Sequence, residues 1–172
     1  LLGAVSHLVI KGQIFSLAIA AIIIFMIMSF VFKSFIGGIL ASLPMSLAVL
    51  LIFGLLGNFG IPLNMTTSLL TCVLVGVGID YSVHFLWHLR EHIRDGEDLE
   101  EAITNTLKVS GKGILFNGIS VIVGFSVLMY SVFMPLKAFS VLIMASIGFC
   151  LIGGIAILPA MVSLIDPQFI RK

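Results

Sequence analysis

One acidic side chain, Asp80, lies inside a long apolar stretch of the sequence, and Tyr81 follows it directly. An ionised carboxylate at the centre of a membrane-spanning helix costs about 2.5–3.5 kcal/mol on insertion scales. Such residues normally face the interior of a helix bundle and mark the path of an ion or a proton. The neighbouring tyrosine adds a hydroxyl that can donate and accept. We interpret Asp80 and Tyr81 as part of a proton relay; the alternative is an idle carboxylic acid that is satisfied by its neighbours.

Small and polar side chains recur at helical spacing around this pair. Four residues spaced four apart share one helical face: Cys72, Gly76, Asp80 and His84. Three polar side chains are possible relay partners: His84, Asn117 and Ser120. Small residues allow a neighbouring backbone to approach closely, and we predict that four glycines pack helices together: Gly76, Gly78, Gly113 and Gly124.

Three histidines spaced four apart, His84, His88 and His92, invite a metal-binding interpretation. The first and the last are about 12 Å apart along a helix axis, so three imidazoles on one straight helix cannot complete a tetrahedral site. We predict no metal site, no cofactor and no enzymatic activity. His88 and His92 are expected at the lipid–water boundary, with Trp87 as an interfacial anchor.

The composition requires that these residues be positioned by a membrane fold. The chain has 172 residues, of which 60% are hydrophobic and 10% charged, with a mean hydropathy of +1.26. Soluble domains carry about 25% charged residues. This composition excludes a secreted module, a disordered linker and a nucleic-acid binder, and the net charge of +1 implies no polyanionic partner. We predict an integral membrane protein.

Uncharged runs and turn-forming residues divide the chain into spans. None of the runs alternates polar and apolar residues, as a barrel wall does, so the predicted fold is an all-α bundle. A segment rich in Gly, Asn and Pro, residues 57–64, separates the second span from the third. We predict five transmembrane helices, at residues 14–32, 38–56, 65–87, 113–132 and 138–165.

A polar stretch between the third and fourth spans predicts a short amphipathic elbow helix at residues 99–110. Asp98 and Glu101 have capping-box spacing, and Gly111 is expected to end the helix. Most Lys and Arg residues follow the first, third and fifth spans: Lys33, Arg90, Arg94, Lys108, Lys112, Arg171 and Lys172. Because basic residues favour the cytoplasm, the elbow is expected on the cytoplasmic side, with residue 1 outside and residue 172 inside a plasma (bacterial inner) membrane.

Several motifs together resemble the RND (resistance–nodulation–division) superfamily, most closely its MMPL-type and Patched/Dispatched branches. They include Gly-Val-Gly-Ile-Asp-Tyr-Ser-Val-His at residues 76–84, Arg90-Glu91 and Gly-Lys-Gly-Ile at residues 111–114. Gly-Ile-Pro-Leu-Asn at residues 60–64, Pro-Leu-Lys-Ala-Phe at residues 135–139 and Leu-Pro-Ala at residues 158–160 are similar to the same group. The resemblance covers nearly the whole chain in the right order.

The resemblance implies two six-helix halves, of which this chain supplies helices two to six of one half, a unit that corresponds to the sterol-sensing domain. It implies that Asp80 and Tyr81 match the Asp-Tyr pair of a proton relay in an exporter of lipids or other hydrophobic molecules. The implied partners are the substrate, protons, the other half and extracytoplasmic domains. Three alternatives stay open: a sterol- or lipid-sensing domain that does not pump, a protein-export RND subunit, and sodium in place of protons.

Overall fold

The protein forms five long helices in a computed structural model that describes residues 2–58, 60, 61 and 65–165, with only the backbone described for residues 2–10, 65 and 66. The helices are α1 (Leu2–Val31), α2 (Phe35–Asn58), α3 (Met65–Arg94), α4 (Leu99–Tyr130) and α5 (Met134–Ile165). All five are long and apolar enough to cross a membrane. No strand occurs among the described residues, and the predicted all-α membrane bundle is confirmed.

Three of the four connections between the helices contain a charged residue or a glycine. Lys33, with φ at 49°, turns the chain between α1 and α2. After α2, Gly60 adopts a φ of 62° and the N–H of Ile61 donates to the carbonyl of Leu56 at 2.9 Å, which closes the helix end. Of the predicted break at residues 57–64, positions 59 and 62–64 lie outside the described residues.

The elbow helix is not a separate element, and the prediction that Gly111 ends it is wrong. Residues Leu99–Thr106 are α-helical, but they continue through a π-turn at Leu107–Gly111 into Lys112–Ser126. Gly111 keeps right-handed helical angles (φ −60°, ψ −39°), because a continuous helix leaves no backbone group unpaired at the membrane boundary. Asp98 stands at the N-cap, but its side chain makes no capping hydrogen bond.

Helix α3 lies at the centre of the bundle, against α2 and α5, while α1 packs on α2, and α4 packs on α5. Glycines set several of these crossings. A Cβ added at Gly153 of α5 would lie 2.9 Å from the Cβ of Pro44 in α2, and one at Gly118 of α4 would lie 2.6 Å from Leu151. The helices therefore approach one another at backbone distance, as membrane helices do at small residues.

The α3–α4 connection is held by Glu97. Its carboxylate accepts a hydrogen bond from Nδ2 of Asn105 at 3.0 Å, and its other oxygen lies 3.0 Å from Nδ1 of His92. The hydrogen bonds from Asn105 and from His92 stabilise the ionised carboxylate and hold the pKa of Glu97 below its usual range. Gly96, with a φ of 98°, makes the turn that brings Glu97 back over the end of α3.

An Asn105→Ala variant is expected to raise the pKa of Glu97, because the strongest hydrogen bond to the carboxylate is lost. The pKa of Glu97 is lower in the folded chain than in the unfolded one, so ionised Glu97 stabilises the connection above its unfolded pKa. This contribution disappears as the pH falls through the folded pKa, and in the variant it disappears at a higher pH. Carboxyl NMR titration measures the midpoint of Glu97 ionisation. The control is Thr104→Ala, because the hydroxyl of Thr104 donates to the carbonyl of Glu100 and not to Glu97. An unchanged midpoint in Asn105→Ala would contradict this assignment.

Candidate functional site

Asp80 and Tyr81 point in different directions from α3. Tyr81 is 1% exposed and packs inside the bundle, whereas Asp80 is exposed. The expectation that Asp80 faces the interior is therefore wrong for these five helices. The reason is geometric: consecutive helical residues are about 100° apart, so two neighbouring side chains point to different faces of α3. Within the described residues Asp80 makes no hydrogen bond or salt bridge.

Asp80 belongs to an open face of α3, formed by exposed residues four apart: Cys72, Gly76, Asp80 and His84. A second exposed row on α4 contains the small and polar residues Gly113, Asn117, Ser120 and Gly124. An acid does not normally face hydrocarbon, and both rows lack the large apolar side chains that α4 presents elsewhere, such as Phe116 and Val123. The composition of the open face is that of a surface that packs against protein.

Behind this face, Tyr81 fills the junction of α3, α4 and α5. Its Cβ lies 3.1 Å from the position that a Cβ would take at Gly154 of α5, so the glycine allows α3 and α5 to approach closely there. The hydroxyl oxygen of Tyr81 is buried and has no hydrogen-bond partner among the described residues. Among the residues predicted to take part in a relay, Tyr81 alone is buried inside the described bundle.

Tyr81 borders a cleft of about 340 Å³ between α3 and α4, which we call the α3–α4 cleft. Apart from the apolar Val109 and Ile114, its lining residues are small or polar: Tyr81, His84, His88, Ser110, Gly113 and Asn117. Two of the three predicted relay partners, His84 and Asn117, thus share a cavity with Tyr81. Ser120 does not line the cleft.

Two π-turns flank Tyr81, and sequence reasoning missed both. The turn at Leu107–Gly111 of α4 carries Ser110, which lines the cleft, and the turn at Gly153–Ile157 of α5 carries Gly154. Single π-turns inside α-helices occur often at functional sites. The available signal was the pair Gly153-Gly154 and the glycine at 111, which we assigned to a helix end.

The four glycines predicted to pack helices differ in their surroundings. Gly78 lies at the junction of three helices, where an added Cβ would be 3.1 Å from Sγ of Cys150 and 3.2 Å from Cβ of Met45. Gly76, Gly113 and Gly124 have open space around them in the described part of the chain. For these three, a packing role stays a prediction that concerns helices outside this bundle.

A polar contact between α1 and α3 was also missed. Gln13, which is 8% exposed, donates from Nε2 to Oγ1 of Thr71 at 2.9 Å and accepts from the hydroxyl of Ser68. Beside this contact runs a groove of about 440 Å³, which we call the α1–α3 groove, lined by Gln13, Ser16, Leu17, Ala20, Ser68, Thr71, Cys72 and Val75 among others. In the sequence, the only indication of this contact is a single glutamine within an apolar run.

Comparison with known proteins identifies the family of the chain. The model of the MMPL family matches residues 5–169. A membrane protein of Methanocaldococcus jannaschii is 26% identical over 152 residues, which are 88% of this chain and 39% of that protein. The trehalose monomycolate exporter MmpL3 of Mycolicibacterium smegmatis is 26% identical over 164 residues, 92% of this chain and 16% of that protein. The chain thus spans well under half the length of either relative.

A solved structure shows a similar fold. The crystal structure of SecDF, a translocon-associated membrane protein from Thermus thermophilus, superimposes with a TM-score of 0.79 at 22% identity. The match covers 91% of this chain and 22% of SecDF. At this identity the likeness shows the arrangement of the five helices, and nothing about what they transport.

Proposed function

The chain belongs to the MMPL family, and on this premise we propose that it is the transmembrane half of a proton-driven RND-type exporter of lipids or other hydrophobic molecules. The observation that carries the proposal is the position of Asp80: an acid within an apolar span, exposed on a face of small residues, with the buried Tyr81 behind it. The name of one relative, an exporter of trehalose monomycolate, supports a hydrophobic cargo.

In the proposal, the open face is covered by the other transmembrane half of the same protein. An uncovered carboxylate at this depth costs about 2.5–3.5 kcal/mol on insertion scales, so a partner surface that donates hydrogen bonds to Asp80 stabilises the assembly. Gly76, Gly113 and Gly124 have no close neighbour among the described residues, which leaves room for another helix to approach. Extracytoplasmic domains are the remaining partner, and they convert helix movement into movement of cargo.

Protonation of Asp80 is the proposed driving step. A proton that crosses 100 mV releases about 2.3 kcal/mol, and neutralising Asp80 removes the charge that holds the two halves in one arrangement. Tyr81 is the proposed second member of the relay, and its buried hydroxyl, which has no hydrogen-bond partner among the described residues, supports this role. The π-turns next to Tyr81 give α4 and α5 a local irregularity at which they can shift.

The proposed orientation places the α3–α4 connection in the cytoplasm. The basic residues Arg90, Arg94, Lys108 and Lys112 surround this connection, and basic residues favour the cytoplasmic side. We propose the same side for residue 172, a plasma (bacterial inner) membrane location, and an extracytoplasmic start of α1.

The α1–α3 groove favours a second candidate, a sterol- or lipid-sensing domain that does not pump. The groove has a mostly apolar lining with hydroxyl groups of Ser16, Ser68 and Thr71, which suits an amphipathic lipid. A protein-export function has no such support, because the likeness to SecDF concerns the fold alone.

The two candidates respond differently to loss of the proton gradient. The intact protein, reconstituted in vesicles with fluorescent lipid and a pH gradient, is expected to transfer lipid at a rate that falls at least about tenfold when an uncoupler is added. Transfer that continues unchanged with uncoupler would contradict the exporter and favour the sensor. Repeating the assay with a sodium gradient and no pH gradient separates sodium coupling from proton coupling.

A further inference from the structure

The α3–α4 cleft contains hydroxyl groups that the protein does not satisfy. Tyr81 is 1% exposed and Ser110 is 7% exposed, and the oxygen of each side chain is buried without a hydrogen-bond partner in the described part of the chain. Thr106, one turn before Ser110, has another such hydroxyl but does not line the cleft. A buried polar group without a partner costs about 1–3 kcal/mol, so the two that line the same cleft need a common explanation.

We infer that the α3–α4 cleft is a water-binding site, filled by ordered waters that connect Tyr81 with the aqueous phase at the α3–α4 connection. Buried water requires a site that is polar and large enough, and each water makes about three hydrogen bonds. The cleft meets both conditions, since its volume is about 340 Å³ and its lining includes Ser110, Asn117 and two imidazoles. One water occupies about 30 Å³ in the liquid, so the space holds a short chain of them.

The cleft has a mouth and a closed end. His88, at the mouth, is part-exposed and lies 3.4 Å from a carboxylate oxygen of Glu91, so this end is polar. Tyr81 is seven residues further back along α3, about 10 Å in depth. At the closed end the ring of Tyr81 packs against α5 at Gly154, and Ile114 forms an apolar wall. Three lining residues, His84, Gly113 and Asn117, also belong to the exposed rows of α3 and α4. Where the other transmembrane half covers those rows, as proposed, water reaches Tyr81 from the side of the connection.

This inference rests on the proposed function and adds the route between the relay and the cytoplasm. Asp80 and Tyr81 point in different directions, so no direct transfer joins them within these five helices. When the hydroxyl oxygen of Tyr81 accepts a proton that Asp80 has released, its own hydroxyl proton passes to the nearest water, and the tyrosine is unchanged at the end. The proton then leaves along the water chain by successive transfers, each water receiving one proton and giving up another. Asn117 and Ser110 orient the waters and exchange no proton with them.

Thiol labelling of the intact protein tests the water. All cysteines of the intact protein, including Cys72 and Cys150, are first replaced. In this background Asn117→Cys is compared with Ile119→Cys. Ile119 is at a similar depth, but it is 46% exposed and does not line the cleft. Only a hydrated thiol ionises to the reactive thiolate. A charged, membrane-impermeant methanethiosulfonate added from the connection side is expected to label Asn117→Cys at least about tenfold faster than Ile119→Cys. Equal rates, or labelling only from the opposite side, would overturn the inference.

The second measurement uses a variant in which a larger side chain fills the cleft. Gly113 lines the cleft and Gly124 lies three turns further along α4, and a Cβ at either position meets nothing within 4 Å. Gly113→Leu is expected to slow both the labelling of Asn117→Cys and proton-coupled transport about tenfold, because its side chain displaces water from the cleft. Gly124→Leu does not displace this water, so the labelling rate of Asn117→Cys is expected to stay within about twofold of its rate without that substitution. Unchanged labelling in Gly113→Leu would overturn the inference.

The proposed function and the water site fail in different ways. If Asn117→Cys is not labelled but transport still requires Asp80 and the proton gradient, the exporter stands and the cleft is dry. If labelling is fast but Asp80→Asn transports at the normal rate, the water site stands and the relay is refuted.

Discussion

An Asp80→Asn variant of the intact protein is expected to lose proton-coupled transport by about 100-fold or more, the range that positioned proton-transfer groups contribute. The asparagine has the same shape and also fills the open face, but it cannot take up and release a proton. Because the side chain is exposed in this bundle and makes no hydrogen bond within the described residues, the change removes no internal contact. Folding is therefore expected to be preserved while coupling is lost. The measurement is transport in vesicles under an imposed pH gradient, with folded yield checked by size-exclusion chromatography.

The matched control is Cys72→Ser, two helical turns away on the same exposed face. This substitution keeps the size of the side chain, and it changes no group that titrates during transport, so the rate is expected to stay within about twofold. A drop in both variants would indicate that the open face matters only for packing against other helices. A normal rate in Asp80→Asn would refute the relay.

Replacing Gly78 with Val is expected to destabilise the folded protein by about 3 kcal/mol, at the upper end of the usual cost of overpacking. A Cβ at this position meets Sγ of Cys150 at 3.1 Å and the backbone of Met45 at 3.3 Å. The sulfur can move, but the Met45 backbone belongs to α2 and moves only if the crossing of α2 and α3 opens. The measurement is the free energy of unfolding in mixed micelles with increasing denaturant.

Gly54→Val is the control for this experiment. Gly54 is exposed in α2, four residues before its last residue, Asn58, and an added Cβ there has nothing within 4 Å. Both variants make the same change in helix propensity, so the difference between them isolates the packing cost at the three-helix junction. Equal stability of the two variants would contradict the close approach of α2, α3 and α5 at Gly78.

The spans could be predicted from the sequence because the insertion of a helix into a membrane depends on the summed hydropathy of a run of adjacent residues. Hydrocarbon thickness fixes the number of apolar residues that a helix needs, and charges and glycines mark where the chain leaves the membrane. The all-α fold with five spans follows from runs of about twenty residues, each read without reference to the others. The same reasoning selected Asp80, since a charge in an apolar span is anomalous whatever surrounds it. The motif around Asp80 and Tyr81 was sufficient to indicate the family.

Only the tertiary structure decided which way these side chains point. The exposure of Asp80 and the burial of Tyr81 depend on where α2, α4 and α5 lie around α3, and those positions are set by contacts between residues distant in sequence, such as Pro44 with Gly153 and Tyr81 with Gly154. The glycine at 111 illustrates the same limit: its sequence context permits either a helix end or a π-turn, and in the structure the helix continues through a π-turn at Leu107–Gly111. The hydropathy of a span is a sum over adjacent residues, so it can be calculated from the sequence. Which face of a helix is buried depends on the shapes of the neighbouring helices, and these come together only when the chain folds.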